Sequence, residues 1–478
     1  MFKVTTQKLL KIFYSLLIII CTSASCSKST ASASHNMNGS GPQKMSYFVN
    51  VNSTKENTLS IELTISCFKG DTLNLKMPKW APGYYMIMDY SSKVSDFHVN
   101  NGISWSQSND NTWQLITNGR KNITVSYNVK VNDRQSVCEA ELAKNHLFLP
   151  GNGIFMYPDG AINTPIYVSF AKRKEWKRTV TGLDKTKNDS YYAKDFDVLY
   201  DSPFYLGNQW YTAFKLNGKK YEISMEDTGK LNLPQFVDDI KKIITTATDI
   251  IGDTPYQHYS FIFMKDGQGG LEHSNSQADY LGAHLGEKEE DYKDLLSFIA
   301  HEFFHLYNVK AIRPIELGPF DYSAKCRTNS LWFSEGGTVY YEKYILEKSG
   351  FITHRELIND VEKVRKEYES HQGYLHQTLA ESSWDVWEQF LDFLDPATFE
   401  THISYYDKGY VVTYRLNEAI KSATKGQKSL DDLMRLLYNK YYKALGRGFT
   451  EAEFWQAAES VAGCPLQEIK DQVYKLPS

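Results

Sequence analysis

HEFFHLYNVKAIRP, residues 301–314, sets two histidines four positions apart with a glutamate directly after the first. An α-helix advances about 100° per residue, so His301 and His305 project from nearly one face, a turn apart, and can grip a single ion. Glu302 points beside them, within reach of a water on that ion. This is the H-E-x-x-H arrangement, in which the glutamate serves as base and the ion lowers the pKa of water to about 7. Ser297, Phe298, Ile299 and Ala300 before the motif, with Phe303, Phe304 and Leu306 inside and after it, predict a largely buried helix from 291 to 308. Uncoordinated polar side chains would be costly there.

A catalytic zinc takes three protein ligands and keeps an open position. The metzincin continuation requires Gly at 308 and His at 311, and the sequence has Asn308 and Ala311, which excludes that class. What remains is a carboxylate on a second helix. LWFSEGGTVYYEKYI, residues 331–345, supplies Glu335 near the start of a helix expected to run from 331 to 348. Glu342, two turns later on the same face, is the second candidate and suits a supporting role better. Glu316 and Asp321 lie in a Pro- and Gly-bearing connector unsuited to rigid coordination.

Upstream of the motif the period is that of strands. Leu59, Ile61, Leu63, Ile65 and Cys67 alternate with Ser60, Glu62, Thr64 and Ser66, and the same alternation returns in Ile123, Val125, Tyr127, Val129 and Val131. Asn118-Gly119 and Asn217-Gly218 read as hairpin turns. After Asn232 the period becomes helical, with Phe236, Ile240, Ile243, Ile244 and Ala247 on one face and a stop at Gly252. One strand-like segment, YSFIFM, precedes the glycine-rich GQGG, and helices follow, including one from 353 to 371 and several short ones between 429 and 474. The fold class is therefore α+β and multidomain: an antiparallel β-sandwich domain over 46–227, then a mainly helical domain over 228–478.

The 478-residue chain carries a formal charge of −4. Lys3, Lys8 and Lys11 precede the apolar run IFYSLLIII and the small residues of CTSASC, the layout of an export signal over 1–25, too short to span a bilayer. Cys26 resembles the lipidation cysteine of bacterial lipoproteins, although Ser23 stands where such signals usually carry leucine; plain secretion is the alternative. Residues 26–45 read as a flexible tether. Removal of 1–25 takes the charge to −7, and a chain so acidic is a poor partner for nucleic acid. Cys67, Cys138, Cys326 and Cys464 are too scattered to favour a pairing and read as buried free thiols.

Five segments in order, KWAPGYY at 79–85, GGLEHSNS at 269–276, HEFFHLYNVKAIRP, LWFSEGG at 331–337 and YYDKG at 405–409, give the chain after Ser46 a resemblance to the glycyl aminopeptidase family of gluzincin metallopeptidases. That family has a thermolysin-like catalytic domain related to that of aminopeptidase N. The resemblance implies one zinc ion held by His301, His305 and Glu335, with Glu302 as general base. It also implies that Tyr406, rather than its neighbour Tyr405, donates a hydrogen bond to the tetrahedral oxyanion. In the GGLEH segment, Gly269 and Gly270 would let backbone approach a peptide, and Glu272, with His273 beside it, would pair with a free α-ammonium. Family members commonly continue into a PDZ domain, a module the sequence up to Ser478 does not contain.

The expected function is a zinc aminopeptidase that trims small N-terminal residues, glycine or alanine, from peptides, exported and anchored by lipid in a bacterial cell envelope. A zinc endopeptidase with the same metal site is one alternative. A surface lipoprotein that binds through an inactive metallopeptidase scaffold is the other.

Overall fold

The computed structural model describes residues 44–52, 57–100, 102–132, 136–282, 288–389, 398 and 400–477. The export signal, Cys26 and the tether up to residue 43 lie outside the described residues. The first strand, Lys44–Asn50, starts two residues ahead of the expected boundary. No helix among the described residues is long and apolar enough to cross a membrane.

The alternating segments form a sandwich. A seven-stranded sheet runs in the order 184–185, 191–193, 166–171, 44–50, 58–66, 123–130, 94–99, and a four-stranded sheet in the order 157–158, 72–76, 112–116, 104–109. Pairing is antiparallel throughout except between Lys44–Asn50 and Ile166–Ala171, which run parallel. Ile61, Leu63, Val125 and Tyr127 from the first sheet share one core with Leu73, Leu75, Trp113 and Leu115 from the second. Asn118-Gly119 is not a hairpin turn. The strands it joins, Thr112–Ile116 and Ile123–Lys130, belong to different sheets, so the turn carries the chain across the sandwich. A third sheet, 178–181, 204–207, 146–149 and 141–142, extends this region toward the catalytic half.

Asn217-Gly218 does close a hairpin, with φ of 50° and 78°, between Trp210–Leu216 and Lys219–Met225. That hairpin joins a sheet whose other strands lie beyond residue 227. Lys219–Met225 pairs in parallel with His258–Met264, which pairs in parallel with Ser276–Tyr280, and the short strand Gly270–Glu272 closes the edge antiparallel to it. These strands form a five-stranded mixed sheet ahead of the helices.

The helix Leu233–Ile251 follows Asn232, whose side chain caps it, and ends at Gly252 in the left-handed region. Its apolar face packs in one core with the helix Glu289–Phe304 and the sheet. His354–Glu369 begins with a capping box made by Thr353 and Glu356. Leu430–Leu437, Glu451–Ala462 and Gln467–Tyr474 supply the short C-terminal helices. All four described cysteines beyond the tether are free, but only Cys138 is buried; Cys67 and Cys464 are exposed.

Candidate active site

The helix Glu289–Phe304 ends one residue before His305, four short of the expected 308, and the chain then turns through 305–311. Both imidazoles remain on one face. Their Nε2 atoms lie 3.0 Å apart, and a Glu335 carboxylate oxygen lies 3.8 Å from that of His301 and 3.2 Å from that of His305. The three ligand atoms fall within 4.8 Å of one another, close enough to share one metal ion. His301, His305 and Glu335 are at most 9% exposed, so three polar groups converge where water is scarce.

The other ring nitrogens are already engaged. His301 Nδ1 lies 2.7 Å from Glu342 Oε2, and His305 Nδ1 lies 2.7 Å from the carbonyl oxygen of Asn308. Such contacts orient a ring and leave Nε2 for a metal. Glu342 is held in turn: Ser297 Oγ donates to its Oε1 at 2.9 Å and Lys343 Nζ lies 2.9 Å from the same oxygen. The carboxylate placed second in the sequence is thus the partner of a ligand rather than a ligand. Asn308, where a metzincin has glycine, turns its amide back onto the Phe333 carbonyl at 2.7 Å and links the histidine segment to the Glu335 segment.

Glu335 does not sit on a regular α-helix. Trp332–Gly336 forms a π-helical turn ahead of the α-helix Gly337–Lys348, and such bulges often re-aim a side chain at functional sites. The helix Asp407–Ala423 crosses this turn. A side chain on Gly409 would begin 2.5 Å from the Trp332 carbonyl oxygen, and one on Gly336 would begin 2.5 Å from the Gly409 backbone. The crossing brings Tyr406, at the N-terminal end of that helix, beside the metal group, its ring 6.4 Å from that of His301. Burial, then the Glu335 carboxylate, push the Tyr406 hydroxyl above the usual tyrosine range, so it is a proton donor. Tyr406 is partly exposed and Tyr405 is fully buried, which separates the two.

Glu302 is buried on the other side of the pair and faces the edge strand; a side chain on Gly270 would begin 2.6 Å from its Oε1. Gly269 has φ of +84°, the turn that delivers this strand. Glu272, two residues on, is 5% exposed. His273 is buried too, with Nδ1 3.2 Å from Asp201 Oδ1, so a residue expected on the substrate side is engaged by a neighbour from the β region.

Sequence reasoning passed over Asp201 and Lys310. Lys310 Nζ lies 3.0 Å from Asp201 Oδ1 and 3.2 Å from Glu272 Oε1. The signal for Lys310 was present inside the opening motif: a lysine among Leu306, Tyr307, Val309, Ala311 and Ile312 requires carboxylate partners, because a buried cation is rarely left alone. Asp201 had no comparable mark. The KWAPGYY loop packs against the connector and also reaches the Glu272 carboxylate. Trp80 packs within 5.5 Å of Phe320 and 5.2 Å of Trp387, while Gly83 lies against the Glu272 carboxylate.

Comparison with known proteins follows the same division. Residues 46–208 match the Peptidase M61 N-terminal domain and residues 294–412 match the M61 glycyl aminopeptidase domain, together more than half of the chain. No curated protein matches in sequence. Among solved structures, an aminopeptidase N family protein from Idiomarina loihiensis is 25% identical with a TM-score of 0.84, over 91% of this chain and 76% of that one. The M1 zinc metallopeptidase from Deinococcus radiodurans (11% identical, TM-score 0.57, 92% and 95% covered) shares the fold. So does yeast LTA4 hydrolase (14% identical, TM-score 0.53, 92% and 68% covered). With both domain matches arranged around a group of two histidines and a glutamate, the chain belongs to the M61 glycyl aminopeptidase family and is a peptidase.

Proposed function

We propose that this peptidase is a zinc-dependent aminopeptidase that removes small N-terminal residues, glycine and alanine, from peptides. The observation that carries the reading is the convergence of His301 Nε2, His305 Nε2 and a Glu335 oxygen, with both Nδ1 atoms held elsewhere. Two imidazoles and one carboxylate suit zinc, and one ion per chain fits the group. A bound zinc ion supplies Lewis acidity, acidifying water and polarising a carbonyl.

The remaining steps fall to side chains of this chain. Glu302 takes the proton of the attacking water and passes it to the leaving amine. The Tyr406 hydroxyl donates a hydrogen bond to the oxyanion, a task that suits a donor without charge. Glu272 pairs with the α-ammonium of the peptide, which would make the enzyme count from the N-terminus. Gly269 and Gly270 bring backbone to the peptide, and His273, beside Glu272, holds Asp201. The preference for glycine and alanine rests on the family.

A peptide and its N-acetylated form, offered with and without a chelator, test the reading. Cleavage confined to the free peptide and abolished by the chelator is expected, with Glu302→Gln retaining metal but losing turnover. Equal cleavage of both forms would make the enzyme an endopeptidase. Metal-free, inactive protein after gentle purification would leave a binding scaffold. Export and lipid anchoring to the bacterial cell envelope through Cys26 complete the proposal: fatty-acid label should appear on the wild type and not on Cys26→Ser, and an unlabelled wild type would leave plain secretion.

A further inference from the structure

Asp201, Glu272 and Lys310 come from three separate segments and meet where Glu272 is buried and the other two are half-buried. Asp201 follows the one-turn helix Phe196–Tyr200 in the β region, Glu272 lies on the edge strand, and Lys310 lies five residues beyond the second histidine. Lys310 bridges the two carboxylates at 3.0 and 3.2 Å. Asp201 Oδ2 also accepts from Ser274 N at 2.8 Å and Ser274 Oγ at 2.5 Å, which ties it to the bend that follows the edge strand. Burial alone would push Asp201 up, but Lys310, then His273 and Ser274, hold it well below the usual carboxylate range. Burial alone would push Lys310 down, but Asp201 and Glu272 outweigh it and raise it.

One lysine cation is shared between two carboxylates, Asp201 and Glu272. A carboxylate that shares its cation keeps attraction for another. Among the described residues Lys310 is the one ion-pair partner of Glu272, and it meets Oε1. The KWAPGYY loop approaches the same carboxylate at Gly83, where φ is +88° and a side chain would begin 2.7 Å from Leu271 Cδ1 and 2.9 and 3.0 Å from Glu272 Oε2 and Oε1. Only a residue without a side chain lets the loop come this close without pressing on that carboxylate.

We infer that Lys310 is the positioning residue of the amine site: it anchors Glu272 Oε1 and leaves Oε2 for the α-ammonium of the substrate. The inference rests on the aminopeptidase reading above. Lysine suits the task because its ammonium is a compact point charge, whereas the fork of an arginine takes both oxygens of a carboxylate.

The test measures KM and kcat for an alanyl peptide together with the inhibition constant of the same peptide N-acetylated, which binds without an ammonium. Lys310→Met should raise the KM of the free peptide by about 10²-fold, the typical effect of a misplaced binding group, and leave the inhibition constant of the acetylated peptide in place. Asp201→Asn, which keeps the shape of the side chain, should leave Lys310 and Glu272 as a neutral pair and raise KM by about 10-fold, one charge interaction's worth. If Lys310→Met does not fold, Asp201→Asn decides. Parallel changes in both constants, or none in KM, would reduce Lys310 to a structural ion pair and overturn the inference. Glu272→Gln separates the two levels. If it raises the free-peptide KM while the other variants do not, this inference alone fails; if it too leaves KM unmoved, the aminopeptidase reading fails first.

Discussion

Each histidine of the pair keeps one ring nitrogen for the protein, His301 for Glu342 and His305 for the Asn308 carbonyl. A ring anchored in this way presents its Nε2 in one direction and one tautomer, so the cost of ordering it is met before any metal arrives. Glu342→Gln keeps the volume but removes the charge, and it should weaken metal binding by about 10- to 100-fold, read by competition with a chromogenic chelator. Unchanged affinity would mean that Glu342 serves Lys343 and Ser297 rather than the site. Tyr406→Phe should lower kcat by about 10²- to 10³-fold with little change in KM, because the hydroxyl matters in the transition state and the ring stays in place. A change confined to KM would make Tyr406 a binding residue. At this scale the convergence of His301 and His305 was legible because helix geometry enforces their spacing. Lys310 was not, since nothing local shows which carboxylates a buried lysine will meet.

The helix Asp407–Ala423 and the π-helical turn Trp332–Gly336 form one mechanical unit, because Gly409 and Gly336 let their backbones touch. Tyr406 and Glu335 are therefore placed by the same crossing, which gives a physical reason for the glycines in YYDKG and LWFSEGG. Gly409→Ala puts a methyl group 2.5 Å from a carbonyl oxygen that belongs to backbone and cannot swing aside. The variant should lose about 1–3 kcal/mol, the usual cost of overpacking, and lose metal affinity as the turn shifts. Denaturant titration and metal competition check the two effects, and a stable variant with intact metal binding would show that the crossing tolerates a wider gap. The π turn itself was hidden from the sequence. LWFSEGGTVYYEKYI has the composition of a helix, and one extra residue in a turn changes no propensity, so periodicity placed Glu335 on a regular helix. The Asn118-Gly119 turn failed the other way: its dipeptide reports φ correctly, at 48° and 74°, but not whether the strands it joins share a sheet.

Across the whole molecule, the β region and the catalytic half meet through the connector that follows the histidine motif. Tyr322 from that connector is buried in the sandwich core and donates to Asp197 Oδ1 at 2.7 Å, Lys79 N donates to the Tyr322 carbonyl at 2.8 Å, and Trp80 Nε1 donates to the Asp321 carbonyl at 2.9 Å. Such a joint is hidden from the sequence, because alternation identifies a strand without naming its neighbours. The parallel pairing of Lys219–Met225 with His258–Met264 spans a whole helix of intervening chain. Residues that unite the halves also place Gly83 on Glu272, so stability and substrate recognition are coupled here. The described chain should therefore unfold in one cooperative transition, with calorimetry and near-ultraviolet circular dichroism coinciding. Trp80→Ala removes the ring that Phe320, Tyr322 and Trp387 surround, and should cost about 3–5 kcal/mol. It should also raise the KM of free peptides, since the loop bearing Gly83 loses its anchor beside Glu272. Two separate transitions in the unmodified protein, or a destabilised Trp80→Ala with unaltered KM, would mean that the β region supports the catalytic half without shaping its amine site.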